Sequence, residues 1–253
     1  MTNKLKYFVG NWKMFGDLGS YKIIYTIHGF LNRNKVLSKK NRIVLCVPST
    51  LIHFFTKKLK SRFISIGAQN CHQHKNFGPY TGSLSPLMLK KVGAKYIILG
   101  HSENRSAGET NQSIKMKIES ALGHNLNVIF CIGETLKEKK KVKTFKVINK
   151  QLISSIEKKF NKNKIIFAYE PVWSIGTGKI PHIDEIKKIF KFIKDKIKVN
   201  FKTKKNPIVL YGGSVNDKNI KTFSLIHEID GFLIGGASQS SKKFIDIIRN
   251  YYK

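Results

Sequence analysis

Along the chain, short apolar runs alternate with longer stretches whose apolar positions fall three and four residues apart. The short runs occupy residues 7–9, 43–47, 63–68, 96–99, 127–131, 165–169, 208–211 and 231–234. Most are continuous rather than alternating, as expected of parallel strands buried on both faces. Between them the period turns helical. Ile183, Ile186, Ile189, Phe190 and Ile193 form one stripe before the seventh run. A second helix is predicted within 137–164, where Val142, Phe145, Ile148, Leu152 and Ile156 recur at helical spacing and lysines make a basic outer face.

Eight such repeats without a Pro/Gly/Ser-rich linker predict one α/β domain over residues 1–253, a closed (β/α)8 barrel. An open doubly wound sheet could hold as many strands, and the loops separate the two. A dinucleotide-binding open sheet carries Gly-x-Gly-x-x-Gly after its first strand, whereas this chain has Val9, Gly10, Asn11, Trp12, Lys13 and Met14. In a barrel the chemistry lies just beyond the C-terminal ends of several strands.

Composition adds limits. A chain of 253 residues suits a one-domain barrel, and 41% hydrophobic residues can fill a sizeable core. No apolar run reaches the ~18 residues that span a bilayer, and the few residues before the first strand cannot hold a secretory signal. A cytoplasmic protein without a membrane partner is expected. Cys46, Cys71 and Cys131 are odd in number and lack Cys-x-x-Cys spacing, so they read as reduced, buried thiols. The net charge of +32, from 47 Lys plus Arg against 15 Asp plus Glu, would attract polyanions. Yet the lysines run along nearly the whole chain instead of forming a stripe interleaved with aromatics, which predicts a solvated basic surface and no dedicated nucleic-acid partner.

Candidate chemistry sits where the barrel reading places it. Asn11 and Lys13 follow the first strand, His101, Ser102 and Glu103 the fourth, and Glu170 with Pro171 the sixth. Taken singly, each has an ordinary structural reading: a surface lysine, a satisfied buried histidine, a helix-entry acid. Together they supply a base, a hydrogen-bond donor and a fixed cation, the set needed to enolise a carbon beside a carbonyl. Gly212, Gly213 and Ser214 follow the seventh strand and Gly235, Gly236 and Ala237 the eighth, where backbone N–H groups and a helix predicted after Gly236 would receive a phosphate. Residues 171–179 read as a mobile lid. Pro171 holds Glu170 extended, Ile175 would exclude water, and Gly176 and Gly178 permit unusual dihedrals. The Gly178, Lys179 pair is not a P-loop, because Trp173 and Ile180 occupy positions that motif reserves for Gly and Ser or Thr.

Five segments in order resemble the triosephosphate isomerase family: 10–14, 100–103, 168–173, 211–215 and 235–238, within a resemblance running from Phe8 to Ile248. The resemblance implies a TIM barrel that interconverts dihydroxyacetone phosphate and D-glyceraldehyde 3-phosphate through an enediolate, in glycolysis and gluconeogenesis. It implies Glu170 as base, His101 as neutral electrophile and proton shuttle, Lys13 as electrostatic stabiliser and Asn11 as a hydrogen-bond donor to substrate. Phosphate would rest on backbone groups of Gly176, Ser214, Gly235 and Gly236, with Glu103 and Ile175 supporting. No metal or organic cofactor is implied. Residues 77–82 resemble the family's long third loop, which enters a second subunit, so a homodimer is implied. Cys71, His72 and His74 lie nearby, but their spacing is not a standard zinc pattern. Phe15, Ser83 and Asn104 depart from the family pattern, where asparagine, an acid and arginine are usual.

Overall fold

The computed structural model describes residues 5–203 and 205–253; most of the short leading stretch weighed against a secretory signal lies outside the described residues. Eight parallel strands close into a barrel in sequence order: β1 (Lys6–Asn11), β2 (Asn41–Cys46), β3 (Ile64–Ala68), β4 (Tyr96–Leu99), β5 (Asn127–Ile132), β6 (Ile165–Tyr169), β7 (Ile208–Tyr211) and β8 (Gly231–Ile234). Closure runs through β1 and β8, where Phe8 lies beside Phe232. Helices cover the outside, and among the described residues none is long and apolar enough to cross a membrane.

Two-sided burial explains the continuous apolar runs. Side chains alternate with period two, so each strand feeds two cores at once. Val9, Val44, Cys46, Ile98, Ile129, Cys131, Ile166, Ala168, Leu210 and Leu233 form the cluster inside the barrel. Their sequence neighbours, such as Phe8, Leu45, Phe130, Phe167 and Phe232, pack outward against the helices. Each fully buried large side chain contributes about 1.5–3 kcal/mol of transfer free energy, so a polar residue on either phase would be costly. Cys46, Cys71 and Cys131 are free and buried, as read from the sequence.

All eight strands stand where the hydrophobic pattern put them, and β4, β6, β7 and β8 have the same bounds. The differences are at polar ends. β1 extends to Asn11, paired with Cys46, and β2 starts at Asn41, paired with Lys6, because ladder hydrogen bonds need only backbone. The 183 stripe is one helix, Ile183–Phe201, with Ile186, Ile189, Phe190 and Ile193 buried.

The segment 137–164 corrects the single-helix reading. A capping box between Thr135 and Glu138 starts a short helix, Leu136–Lys140. That helix ends in a Schellman turn, with Lys143 N–H donating to Glu138 O at 3.0 Å and Val142 N–H to Lys139 O at 2.8 Å. Val142 takes a left-handed φ of +54° and is 92% exposed, so it falls off the stripe. A second helix, Thr144–Ser155, buries Ile148 and Leu152, while Phe145 is exposed and Ile156 is buried just past its end. The helix predicted after Gly236 is a single 3-10 turn, Gly236–Gln239, before the α-helix Ser241–Tyr251.

Candidate active site

The inward phase carries to the strand ends: Val9 leads to Asn11 at the last position of β1, and Ala168 to Glu170 just past β6, so both polar groups enter the barrel mouth. Glu170 is buried, with its N–H donating to Ile132 O at 2.8 Å and its Oε1 lying 3.3 Å from His101 Nε2. His101 caps the helix Ser102–Ser106, and its Nδ1 accepts the Glu103 backbone N–H at 3.3 Å. A ring nitrogen that accepts a hydrogen bond holds no proton, so the neutral ring carries its proton on Nε2, toward Glu170. The Glu103 carboxylate stands 3.5 Å from the same Nδ1, but it is 58% exposed and its charge is answered by Lys13 Nζ at 2.5 Å; the amide therefore sets the tautomer. Burial pushes the Glu170 carboxyl above its ordinary value of 4.5, while His101, the Cys131 thiol, the Ser102 backbone and Lys13 pull it back.

Lys13 adopts φ +57°, a conformation lysine rarely takes. Such strain persists only where neighbours over-determine it. Asn11 Oδ1 accepts the Lys13 N–H at 3.1 Å, and Gln69 Nε2 donates to Lys13 O at 2.9 Å and to Cys46 O at 3.1 Å. Gln239 Nε2 donates to Trp12 O at 2.7 Å. Trp12 is fully buried, with Phe55 and Phe15 edge-on at 5.8 Å. The departure at Phe15 is thus explained by packing on Trp12.

Two loops close in by glycine. A Cβ at Gly212 would stand 2.8 Å from Glu170 Cγ, and one at Gly213 would stand 2.3 Å from Tyr211 Oη. Only a residue without a side chain lets this backbone pass so near Glu170. In the 171–179 loop, Gly176 and Gly178 take φ of +71° and +75° with open space around both.

The outcome is one cleft of about 440 Å³ lined by Asn11, Lys13, His101, Glu170, Ile175, Gly176, Ser214, Gly235 and Gly236 together. Glu103 is outside the lining and reaches the site through Lys13. A smaller hollow of about 220 Å³ at the opposite end, near Lys162, Ile165 and Ile208, has no carboxylate or imidazole. The residues near the third loop do not converge: the His72 and His74 rings pack on Tyr80 at 4.3 and 5.1 Å. Among the described residues no group of three or more His, Cys, Asp or Glu is placed to hold a metal ion.

Sequence reasoning passed over several participants. Glu134, buried just past β5, accepts from Trp173 Nε1 at 2.9 Å and from the Tyr169 hydroxyl at 3.2 Å, tying down the start of the 171–179 loop. Lys139 Nζ lies 3.9 Å above the Trp173 ring and pairs with Glu185 at 2.8 Å. Burial raises the Glu134 pKa, against the pull of the Trp173 N–H, a backbone N–H, Tyr169 and Lys139. The rule that found Glu170, a polar residue just beyond a strand, applies equally to Glu134. Gln69 directly follows β3 and fits the same rule, whereas Gln239, Ser174 and Tyr211 carry no comparable signal, since their partners are backbone atoms or residues distant in sequence.

A closed parallel barrel whose strand ends gather a buried carboxylate, an imidazole, a strained lysine and two glycine-rich loops defines a barrel enzyme of acid–base chemistry. Its sequence matches the family profile described as triosephosphate isomerase over residues 6–251. It is 40% identical over 253 residues to the triosephosphate isomerase of Dictyoglomus thermophilum, covering 97% of this chain and 99% of that one. The enzyme of Zygosaccharomyces bailii is 40% identical over 244 residues, covering 95% and 96%. The crystal structure of triosephosphate isomerase from Bartonella henselae superposes with a TM-score of 0.88 at 34% identity, over 98% of this chain and 99% of that one. The chain belongs to the triosephosphate isomerase family.

Proposed function

We propose that the cleft at the barrel mouth is the active site of an isomerase that interconverts dihydroxyacetone phosphate and D-glyceraldehyde 3-phosphate through an enediolate. The observation that supports this reading most strongly is the buried pair of Glu170 and His101 Nε2 at 3.3 Å, opening on the same cleft as Lys13. Glu170 takes the carbon-bound proton of the ketose and returns it to the neighbouring carbon. A carboxylate whose pKa is raised by burial is a stronger base than one in water. His101 donates through Nε2 to the carbonyl oxygen and moves a proton between the two oxygens of the enediolate. Lys13 offsets the negative charge that develops there, and Asn11 donates through its side-chain amide. The phosphate rests on the backbone N–H groups of Gly176, Ser214, Gly235 and Gly236, and Ile175 excludes water when the lid covers the base. Every proton has a donor and an acceptor among these side chains, so the chemistry calls for no metal or organic cofactor.

The chain acts as one catalytic domain in glycolysis and gluconeogenesis, in the cytoplasm. It works as a homodimer: Met14, Phe77 and Tyr80 leave apolar surface exposed on the first and third loops, as an interface would. Conversion of glyceraldehyde 3-phosphate by the purified protein, followed by coupled reduction of the product ketose, tests the activity. Turnover that depends on the intact cleft is expected, and a folded protein without turnover would overturn the reading.

A further inference from the structure

Ser174, at the base of the lid, is fully buried and its hydroxyl is saturated. Its O–H donates to Lys179 O at 2.5 Å, which leaves two lone pairs. One faces the Tyr211 hydroxyl at 3.3 Å, and the other accepts the backbone N–H of Ser214 at 3.2 Å. A Cβ at Gly213 would stand 2.7 Å from Ser174 Oγ, so the loop after β7 presses directly on this hydroxyl.

The Ser214 N–H is one of the donors assigned above to the substrate phosphate. It cannot be given fully to two acceptors in different directions. We propose that Ser174 is a positioning residue that occupies the phosphate-binding amide of Ser214 in the unliganded enzyme and gives it up when phosphate enters. The same hydroxyl holds Lys179 O, so surrendering Ser214 loosens one side of a lid anchor at the moment the ligand arrives. Phosphate binding and lid movement are thereby coupled through one oxygen. The coupling costs ground-state affinity, because phosphate displaces a protein acceptor rather than water.

This inference rests on the assignment of the phosphate to the Ser214 amide. The probe is inorganic phosphate, titrated calorimetrically and by the ¹⁵N–¹H shift of Ser214 in the wild type, Ser174→Ala and Ser174→Cys. Removing the acceptor should tighten phosphate binding about two- to tenfold, with KM falling and kcat falling or unchanged; Cys, a weaker acceptor of similar size, should lie between. A merely structural serine predicts the opposite, since a loosened lid weakens the anion site. Unchanged or weaker phosphate binding in a folded Ser174→Ala protein, with the Ser214 amide still responding in the wild type, would overturn the latch alone. A Ser214 amide that ignores phosphate in the wild type would overturn the phosphate assignment beneath it.

Discussion

At the scale of single residues, function and stability oppose each other at Glu170. Its folded carboxyl binds a proton more tightly than the unfolded one because burial disfavours the charge. Ionising it therefore costs folding stability as pH rises past the unfolded value, and that cost is absent below it, where both states hold the proton. Glu170→Gln is expected to melt higher than wild type at pH 7 and close to it below pH ~4. Equal shifts at both pH values would show that the carboxylate is not strained by burial. Carbon-detected NMR of the unliganded enzyme should find the Glu170 carboxyl titrating above 4.5, and a lower midpoint would contradict the geometry. Lys13→Ala should raise KM and lower kcat together, since a cation beside an anionic substrate serves both ground state and transition state. An unchanged KM would remove the lysine from substrate contact. That Lys13, His101 and Glu170 gather at one cleft was legible in the sequence because each stands within two residues of a strand end. What holds them was not: Gln69, 56 positions from the left-handed Lys13, donates to its carbonyl, and Gln239 donates to that of the adjacent Trp12, pairings made only in the folded barrel.

At the scale of elements, the strands were legible because two-faced burial leaves no polar phase to confuse the period. The helix over 137–164 was misread for the complementary reason. Periodicity counts apolar residues, and Val142 is apolar, but the Schellman turn places it in solvent with φ +54°. A β-branched residue in that conformation costs about 1–2 kcal/mol, which glycine avoids at some cost in unfolded-state entropy. Val142→Gly should accordingly raise stability by about 0.5–1 kcal/mol in urea unfolding. A loss would mean that the Val142 side chain makes contacts that outweigh the backbone strain. The unusual dihedrals of Gly176 and Gly178 in the 171–179 loop were legible from the glycines themselves. The loop's anchoring to Glu134 and Tyr211 was not, because those partners belong to other strands.

At the scale of the whole molecule, charge and assembly are the open quantities. A net charge of +32 should accelerate encounter with an anionic substrate, so kcat/KM should fall as salt shortens the Debye length toward ~8 Å at physiological strength. A flat dependence, with competing anions controlled for, would mean that the lysines do not steer substrate. Ser83 and Asn104 stand where the family resemblance leads one to expect an acid and an arginine. If those groups face each other across the proposed homodimer contact, losing both is milder than losing one, since a lone charge keeps its desolvation cost. Asn104→Arg alone should then weaken the dimer, and adding Ser83→Glu should restore it with a coupling of about 0.5–3 kcal/mol. Strictly additive effects in sedimentation would show that the two positions do not meet. The central claim is proton transfer by Glu170 at the barrel mouth, and it is tested most directly by turnover of glyceraldehyde 3-phosphate in D₂O, comparing wild type with Glu170→Gln by proton NMR. Product ketose carrying carbon-bound deuterium is expected from the wild type, and a loss of about 10²- to 10⁴-fold in rate from a folded Glu170→Gln protein. Comparable rates in the two proteins would contradict that claim.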